Sequence, residues 1–179
     1  MTICQNRVKE LFDYKEDGNL IWIKISRYNR VQEGSIAGTP LGRGGYKRVS
    51  VDGKNYLLHR LVFLWHYGYM PENEVDHIDK DSTNNRIENL REVSRSCNIR
   101  NSNERVDNTS GIKGVTWHKR LNRWGVRIFN KKEIHLGYFE DFTEAAAHRL
   151  AAEQALNWSS CNFKTSASIY IDNYINGIS

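Results

Sequence analysis

Proline and cysteine are both scarce, at two and three residues in 179. The three cysteines, Cys4, Cys97 and Cys161, are widely scattered and form no CxxC pair, which argues against a cysteine zinc site. An odd, scattered set suits a reducing compartment, with each cysteine acting as a small apolar residue. Long apolar runs are missing as well. The longest is Leu61 to Trp65, far short of the ~20 residues of a membrane span, so no membrane partner is expected. The opening MTICQNRVKELFDY lacks the apolar stretch of a secretion signal. Acidic side chains fall short of basic ones, 21 against 26, which leaves a net charge of +5 and favours a polyanion as partner.

What is present is a globular composition: 39% hydrophobic, 11% aromatic and 26% charged. A chain of this size buries roughly 70% of its unfolded surface and can hold a core without staples. Residues 1–20 read as a short helix and a turn, and Leu20 to Ile25 alternates as a strand. Residues 26–45 are glycine-rich and loop-like. Tyr46 to Val51 and Lys54 to Leu58 read as strands joined by an Asp52-Gly53 hairpin turn. His59 to Tyr67 is apolar enough for a buried helix ending at Gly68. Residues 101–111, NSNERVDNTSG, are polar and turn-rich, and mark a linker. Beyond it lie three alternating strands, Ile112 to Lys119, Trp124 to Phe129 and Glu133 to Phe139, and then an alanine-rich helix over 142–156. Thr143 is the expected N-cap of that helix, with Glu144 in its first turn. The tail 165–179 fits either a strand or a docking helix.

The chemistry concentrates in residues 74–101, EVDHIDKDSTNNRIENLREVSRSCNIRN. Asp76 and His77 are adjacent: a hard carboxylate ligand beside an imidazole that titrates near neutrality. A second alternating segment begins at Asn89-Leu90, and Asn98 falls in a short polar helix starting near Ser94. Two strands, a loop and a helix would bring Asp76 and Asn98 together. Asp79, Asp81 and Thr83 faintly suggest a calcium loop. Asn84 and Leu90 stand where such a loop needs Gly and Glu, so the stretch reads as a solvated loop. His66, in an aromatic run, reads as a packed histidine. His59 fits a structural position or a phosphate contact, the former better, and Arg60 is a phosphate-contact candidate.

This stretch resembles the HNH nuclease family. Asp76-His77 matches the first signature position, Asn89 the central asparagine and Asn98 the last, spaced 12 and 9 residues apart. His59-Arg60-Leu61-Val62 and Asn84-Asn85-Arg86 look like the phage and intron-encoded homing branch. The resemblance covers about residues 10–101. It implies a ββα-metal finger that hydrolyses a phosphodiester in double-stranded DNA and leaves 5′-phosphate and 3′-hydroxyl ends. It further implies His77 as general base, Asp76 and Asn98 as ligands of one divalent metal, and Asn89 as the residue tying the loop that orients His77. Asn98 stands where the wider family has histidine, and the resulting oxygen set favours Mg²⁺ or Mn²⁺ over Zn²⁺.

Residues 112–132 carry seven Lys or Arg and no acid. Strand parity puts Val115, Trp117, Trp124, Val126, Ile128, Ile134 and Leu136 on one face, able to pack on the alanine-rich helix. Thr116, His118, Arg120, Arg123, Gly125, Arg127, Glu133 and His135 fall on the other. A basic three-stranded face suits the major groove, and Gly125 would let backbone approach DNA. The stretch is similar to the plant APETALA and ethylene-response-factor DNA-binding domain through Gly114-Val115, Trp124, Leu136-Gly137-Tyr138-Phe139, Glu144-Ala145-Ala146 and Asn162-Phe163. The plant domains have arginines where Thr116 and His118 stand. Segment 24–54, with seven basic residues, is a second candidate backbone clamp.

The expected fold class is α+β: a ββα-metal finger module followed by a three-stranded antiparallel sheet on one helix. The expected divisions are 1–105 nuclease, 106–111 linker, 112–164 DNA reader and 165–179 tail. The expected activity is that of a homing-type endonuclease. The runner-up is a DNA-binding regulator with a decayed nuclease site. Candidate DNA contacts are Lys113, Thr116, His118, Arg120, Arg123, Arg127, Lys131, Lys132 and Arg60. The expected partner is double-stranded DNA rather than a small molecule. The expected state is a monomer, in the cytoplasm of a phage-infected bacterial host.

Overall fold

A computed structural model describes residues 3–24 and 31–178. The chain forms two compact units, Met1–Ile99 and Arg100–Ser179, each with its own apolar core. The elements are mixed helix and strand in several small sheets, an α+β composition.

In the first unit α1 (Gln5–Leu11) runs straight into β1 (Phe12–Tyr14), which turns back antiparallel onto β2 (Leu20–Trp22). Sequence reading missed β1, because three residues are too few for a period of two to register. The strand expected from Leu20 ends at Trp22. Ile25, with Arg27 and Arg30 of the basic segment, lies outside the described residues. Next comes a three-stranded antiparallel sheet, β3 (Thr39–Pro40), β4 (Lys47–Val51) and β5 (Lys54–Leu57), in that order. β3 is two residues long and lay hidden in the glycine-rich stretch. The β4–β5 turn places Asp52 and Gly53 both at positive φ, +49° and +76°, which is why Asp-Gly signals this hairpin.

α2 (Leu58–Tyr67) stops at Gly68, whose φ of +85° supplies the left-handed cap and whose N–H bonds the Leu64 carbonyl at 3.0 Å. Leu58, Leu61, Val62, Phe63 and Leu64 are buried against Val8, Leu11, Phe12, Leu20, Trp22, Val49 and Val51. Each such side chain contributes about 1.5–3 kcal/mol of transfer free energy. His66 packs edge-on against Tyr14, at 4.4 Å between ring centres. β6 (Glu74–His77) and β7 (Leu90–Val93) then pair antiparallel, and α3 (Arg95–Asn101) follows. Of the cysteines expected to pack as apolar residues, Cys4 is an exposed free thiol.

The second unit holds β8 (Val115–His118), β9 (Arg123–Asn130) and β10 (Lys132–Phe139) in one antiparallel sheet with β9 central. Val115, Val126 and Ile128 are buried on one face. α4 (Phe142–Ala155) packs on that face through Ala145 and Ala146, whose methyl-sized side chains let it approach closely. Its N-cap is Asp141, not Thr143: the Asp141 carboxylate accepts from the Glu144 N–H at 2.8 Å. The Thr143 hydroxyl is engaged instead with the Tyr170 hydroxyl at 3.0 Å. The tail forms α5 (Ser166–Ile175), a helix that docks on α4 and buries Ala167.

Under the sheet, Arg149 Nε donates to Glu153 at 2.8 Å and Nη1 to the Arg127 carbonyl at 2.5 Å, both side chains only 4% exposed. The Thr165 hydroxyl donates to the other Glu153 oxygen at 2.5 Å, so the buried pair is well satisfied. Gly114, at φ +77°, lies against the same Arg127 carbonyl, where a Cβ would collide with the oxygen.

Candidate active site

β6 and β7 form a two-stranded ribbon in register Asp76↔Arg91 and His77↔Leu90. Asp76 and His77 are both buried near its end. Directly across the strands, Arg91 donates to one Asp76 oxygen, Oδ2, through Nη2 at 2.8 Å and Nε at 3.1 Å. Glu74, two residues before Asp76 and on the same strand face, accepts from Asn98 Nδ2 at 2.6 Å. Asn98 sits on α3, and that bond turns its amide so that the nitrogen meets Glu74 and the oxygen end is presented elsewhere. Sequence reading did not single out Glu74 or Arg91. Their alternation with Asp76 and with Val93 was the available signal.

His77 lies among rings. Its imidazole centre is 5.2 Å from that of His59 and 5.9 Å from that of Tyr46, with edge-to-face geometry in both cases. Its Nε2 is 3.1 Å from Asn85 Oδ1. His59, at the start of α2, is buried, and burial beside His77 and Arg60 lowers its imidazole from 6.5 to about 3. His59 is therefore neutral, a packing partner for His77. Arg60 donates Nη1 to the Asn73 carbonyl at 2.8 Å and Nη2 to the Pro71 carbonyl at 2.5 Å, fixing the approach to β6. Arg60, expected as a phosphate-contact candidate, is half-buried with its guanidinium on these two carbonyls.

Asn89 ends a short 3₁₀ turn, Ile87–Asn89. Its amide oxygen accepts from the Asp79 N–H at 3.0 Å, and its nitrogen donates to Asp79 Oδ1 at 2.9 Å and to the Asn84 carbonyl at 2.8 Å. One side chain thus pins both ends of the loop between β6 and β7. Burial alone would raise the Asp79 carboxyl. Hydrogen bonds from Asn84, the Asp81 N–H and Asn89 outweigh it and hold the group below its usual range. The Asp81 carboxylate caps Thr83 through both N–H and hydroxyl, at 2.9 and 2.7 Å. These acids serve as loop ties.

Among the described residues no three His, Cys, Asp or Glu side chains gather into a metal cluster. The donor pair expected here, a carboxylate from Asp76 and an amide oxygen from Asn98, is a different chemistry. Both are hard oxygen donors, and the Asn98 amide is held through its nitrogen by Glu74.

In the second unit Arg123, Arg127, Thr116, Arg120, Lys131 and Lys132 are exposed. Cross-strand pairing sets Thr116 beside Gly125 and His118 beside Arg123. Arg123 meets Glu140 at 2.6 Å and Arg127 meets Glu133 at 3.2 Å. Lys113 is differently used: its ammonium bonds the Arg100 carbonyl at 3.0 Å and the carbonyl of Ser102. A β-bulge between His135 and Gly137 shifts the register, so Tyr138 lies opposite Gly125 on the outer face. The Tyr138 ring lies tilted beside His135 and edge-to-face with His118, at 4.5 and 5.4 Å between ring centres. A Cβ on Gly125 would sit 3.1 Å from that ring. The glycine makes room for Tyr138. Trp117 shares the parity of the core face but is 38% exposed at the sheet end.

Residues 56–100 match the HNH endonuclease family. That span contains His59, Asp76, His77, Asn85, Asn89, Arg91 and Asn98, and so the whole β6–β7 site. Over 90 residues the chain is 28% identical to Protein 3.8 of Escherichia phage T7, covering 50% of this chain and 74% of that protein. No solved structure matches the chain.

Proposed function

We propose that the protein is a metal-dependent DNA endonuclease of the phage homing type, with its nuclease centre on β6, β7 and α3 and a DNA reader in the second unit. One observation carries the reading. The segment matching the HNH endonuclease family is the segment in which Asp76, His77 and Asn89 are buried together and Asn98 is oriented by a bond to the same strand.

His77 takes a proton from the attacking water as its oxygen bonds to phosphorus, and the P–O3′ bond breaks with its electron pair leaving on the 3′ oxygen. General-base assistance of this kind is worth about 10²–10⁴-fold. Asp76 and Asn98 hold one divalent cation, Mg²⁺ or Mn²⁺, which when bound supplies charge stabilisation at the phosphate and the departing oxygen. Asn89 contacts no substrate; it holds the loop against which His77 packs. The exposed Arg120, Arg123, Arg127, Lys131 and Lys132, with Thr116 and His118, face double-stranded DNA. The expected setting of such an enzyme is an infected bacterial cell, a reading in keeping with the similarity to a phage protein.

The test is incubation with phage genomic DNA with and without Mg²⁺, mapping nicks on each strand. Cleavage should require the metal and be lost in Asp76→Ala and Asn98→Ala. His77→Ala should lose cleavage and keep DNA affinity, since the imidazole acts in the transition state. Full activity in excess chelator would sink the single-metal mechanism.

A further inference from the structure

We propose that Asn85 is a positioning residue for His77, fixing which ring nitrogen serves as the base; the inference rests on the nuclease reading above. Asn85 Oδ1 lies 3.1 Å from His77 Nε2, and both side chains are buried, at 4% exposure each. The orientation of the Asn85 amide is set independently. Its Nδ2 donates to the Thr83 carbonyl at 3.3 Å, so the oxygen is the end that faces the ring. The position of Asn85 is set from below. The turn of the first hairpin lies on its backbone so closely that a Cβ on Gly18 would sit 2.5 Å from the Asn85 carbonyl carbon and the Arg86 nitrogen. The Tyr14 hydroxyl accepts from the Ile87 N–H at 3.1 Å, anchoring the same stretch.

An amide oxygen can only accept, so it demands a proton on Nε2. Neutral His77 is then the Nε2–H tautomer, with its lone pair on Nδ1, and the proton removed from water goes to Nδ1. Asn85 therefore selects the reactive nitrogen without touching DNA. Asn89 does not: its three side-chain bonds stay within the loop backbone and Asp79.

The experiment uses the full chain labelled with ¹⁵N-histidine, the His77 ring being assigned by its loss in His77→Gln. Wild type should show His77 protonated on Nε2 in the neutral form. Asn85→Leu, close in volume but without an acceptor, should show mixed tautomers, with kcat lowered about 10- to 100-fold and KM unchanged. Asn85→Asp, which keeps an acceptor at the same place, should restore both the tautomer and most of the rate. A wild-type ring protonated on Nδ1 overturns the proposal whether or not Asn85→Leu folds. So does an Asn85→Leu protein with unchanged tautomer and kcat. Should wild type cleave no DNA at all, the nuclease reading is what fails, and the ring spectrum still decides the role of Asn85.

Discussion

Arg91 donates to Asp76 Oδ2 from Nη2 at 2.8 Å and from Nε at 3.1 Å, in a pair that is largely buried. The guanidinium thus meets the carboxylate that the nuclease reading assigns to the metal. Removing one member of a buried pair leaves an uncompensated charge, so Arg91→Ala should destabilise the metal-free protein by about 2–4 kcal/mol. A cation bound at Asp76 would offset part of that loss. Added Mn²⁺ should therefore raise the melting temperature more in Arg91→Ala than in wild type. Equal Mn²⁺ shifts in the two proteins would show that Asp76 and the metal do not meet.

Asn89 makes three hydrogen bonds that close the 78–89 loop. Asn89→Ala leaves partners in this half-buried loop unsatisfied, at about 1–3 kcal/mol. The expected result is a lower denaturation midpoint and slower cleavage, with Mn²⁺ affinity nearly unchanged when measured calorimetrically on the folded variant. Selective loss of metal at unchanged stability would make Asn89 a ligand.

The hairpin, the helix and the spacing of Asp76, His77, Asn89 and Asn98 were legible in the sequence because each rests on local pattern: Asp-Gly for the turn, Gly68 for the helix end, alternation for β7. The C-terminal strands were legible for the same reason, since Val115, Val126 and Ile128 keep parity over whole strands. Residues that act across long separations stayed hidden. Glu74 matters through Asn98, 24 residues away, and Gly18 through Asn85, and neither link has a local period. The bulge that swings Tyr138 over Gly125 was unreadable because an inserted residue changes parity only once paired. The bonds of Lys113 and Arg60 to backbone carbonyls were not legible either, since composition does not show which carbonyls a fold leaves open nearby.

His59 offers a pH prediction. Its folded-state value of about 3 lies below the ordinary 6.5, burial being the main cause, with His77 and Arg60 as neighbours that lower it further and Tyr46 packed on its ring. Below 6.5 the unfolded chain takes up a proton that the folded chain refuses. The stability associated with neutral His59 is whole above 6.5 and drains away as pH falls toward 3. His59→Phe should therefore lose less melting temperature than wild type between pH 6.5 and pH 4. Parallel curves for the two proteins would mean that His59 is hydrated or protonated in the folded state.

The outer face of the second unit should separate positioning from reading. Lys131 and Lys132 sit at the β9–β10 turn, and Arg127 lies centrally on β9, paired with Glu133 at 3.2 Å. Exposed pairs of that kind are worth about 0–1 kcal/mol, so the guanidinium can be exchanged to a base edge at little cost. Arg127→Ala should weaken binding to a target duplex by about 1–3 kcal/mol and barely change binding to a scrambled one. Lys132→Ala should weaken both alike and flatten the slope of log affinity against log salt by about one unit, the signature of one lost phosphate contact. The measurement is a salt titration of each variant on both duplexes. If Arg127→Ala and Lys132→Ala leave slope and discrimination untouched, the sheet does not read DNA, and recognition falls to the basic residues of the first unit, Arg43, Lys47 and Arg48 among them.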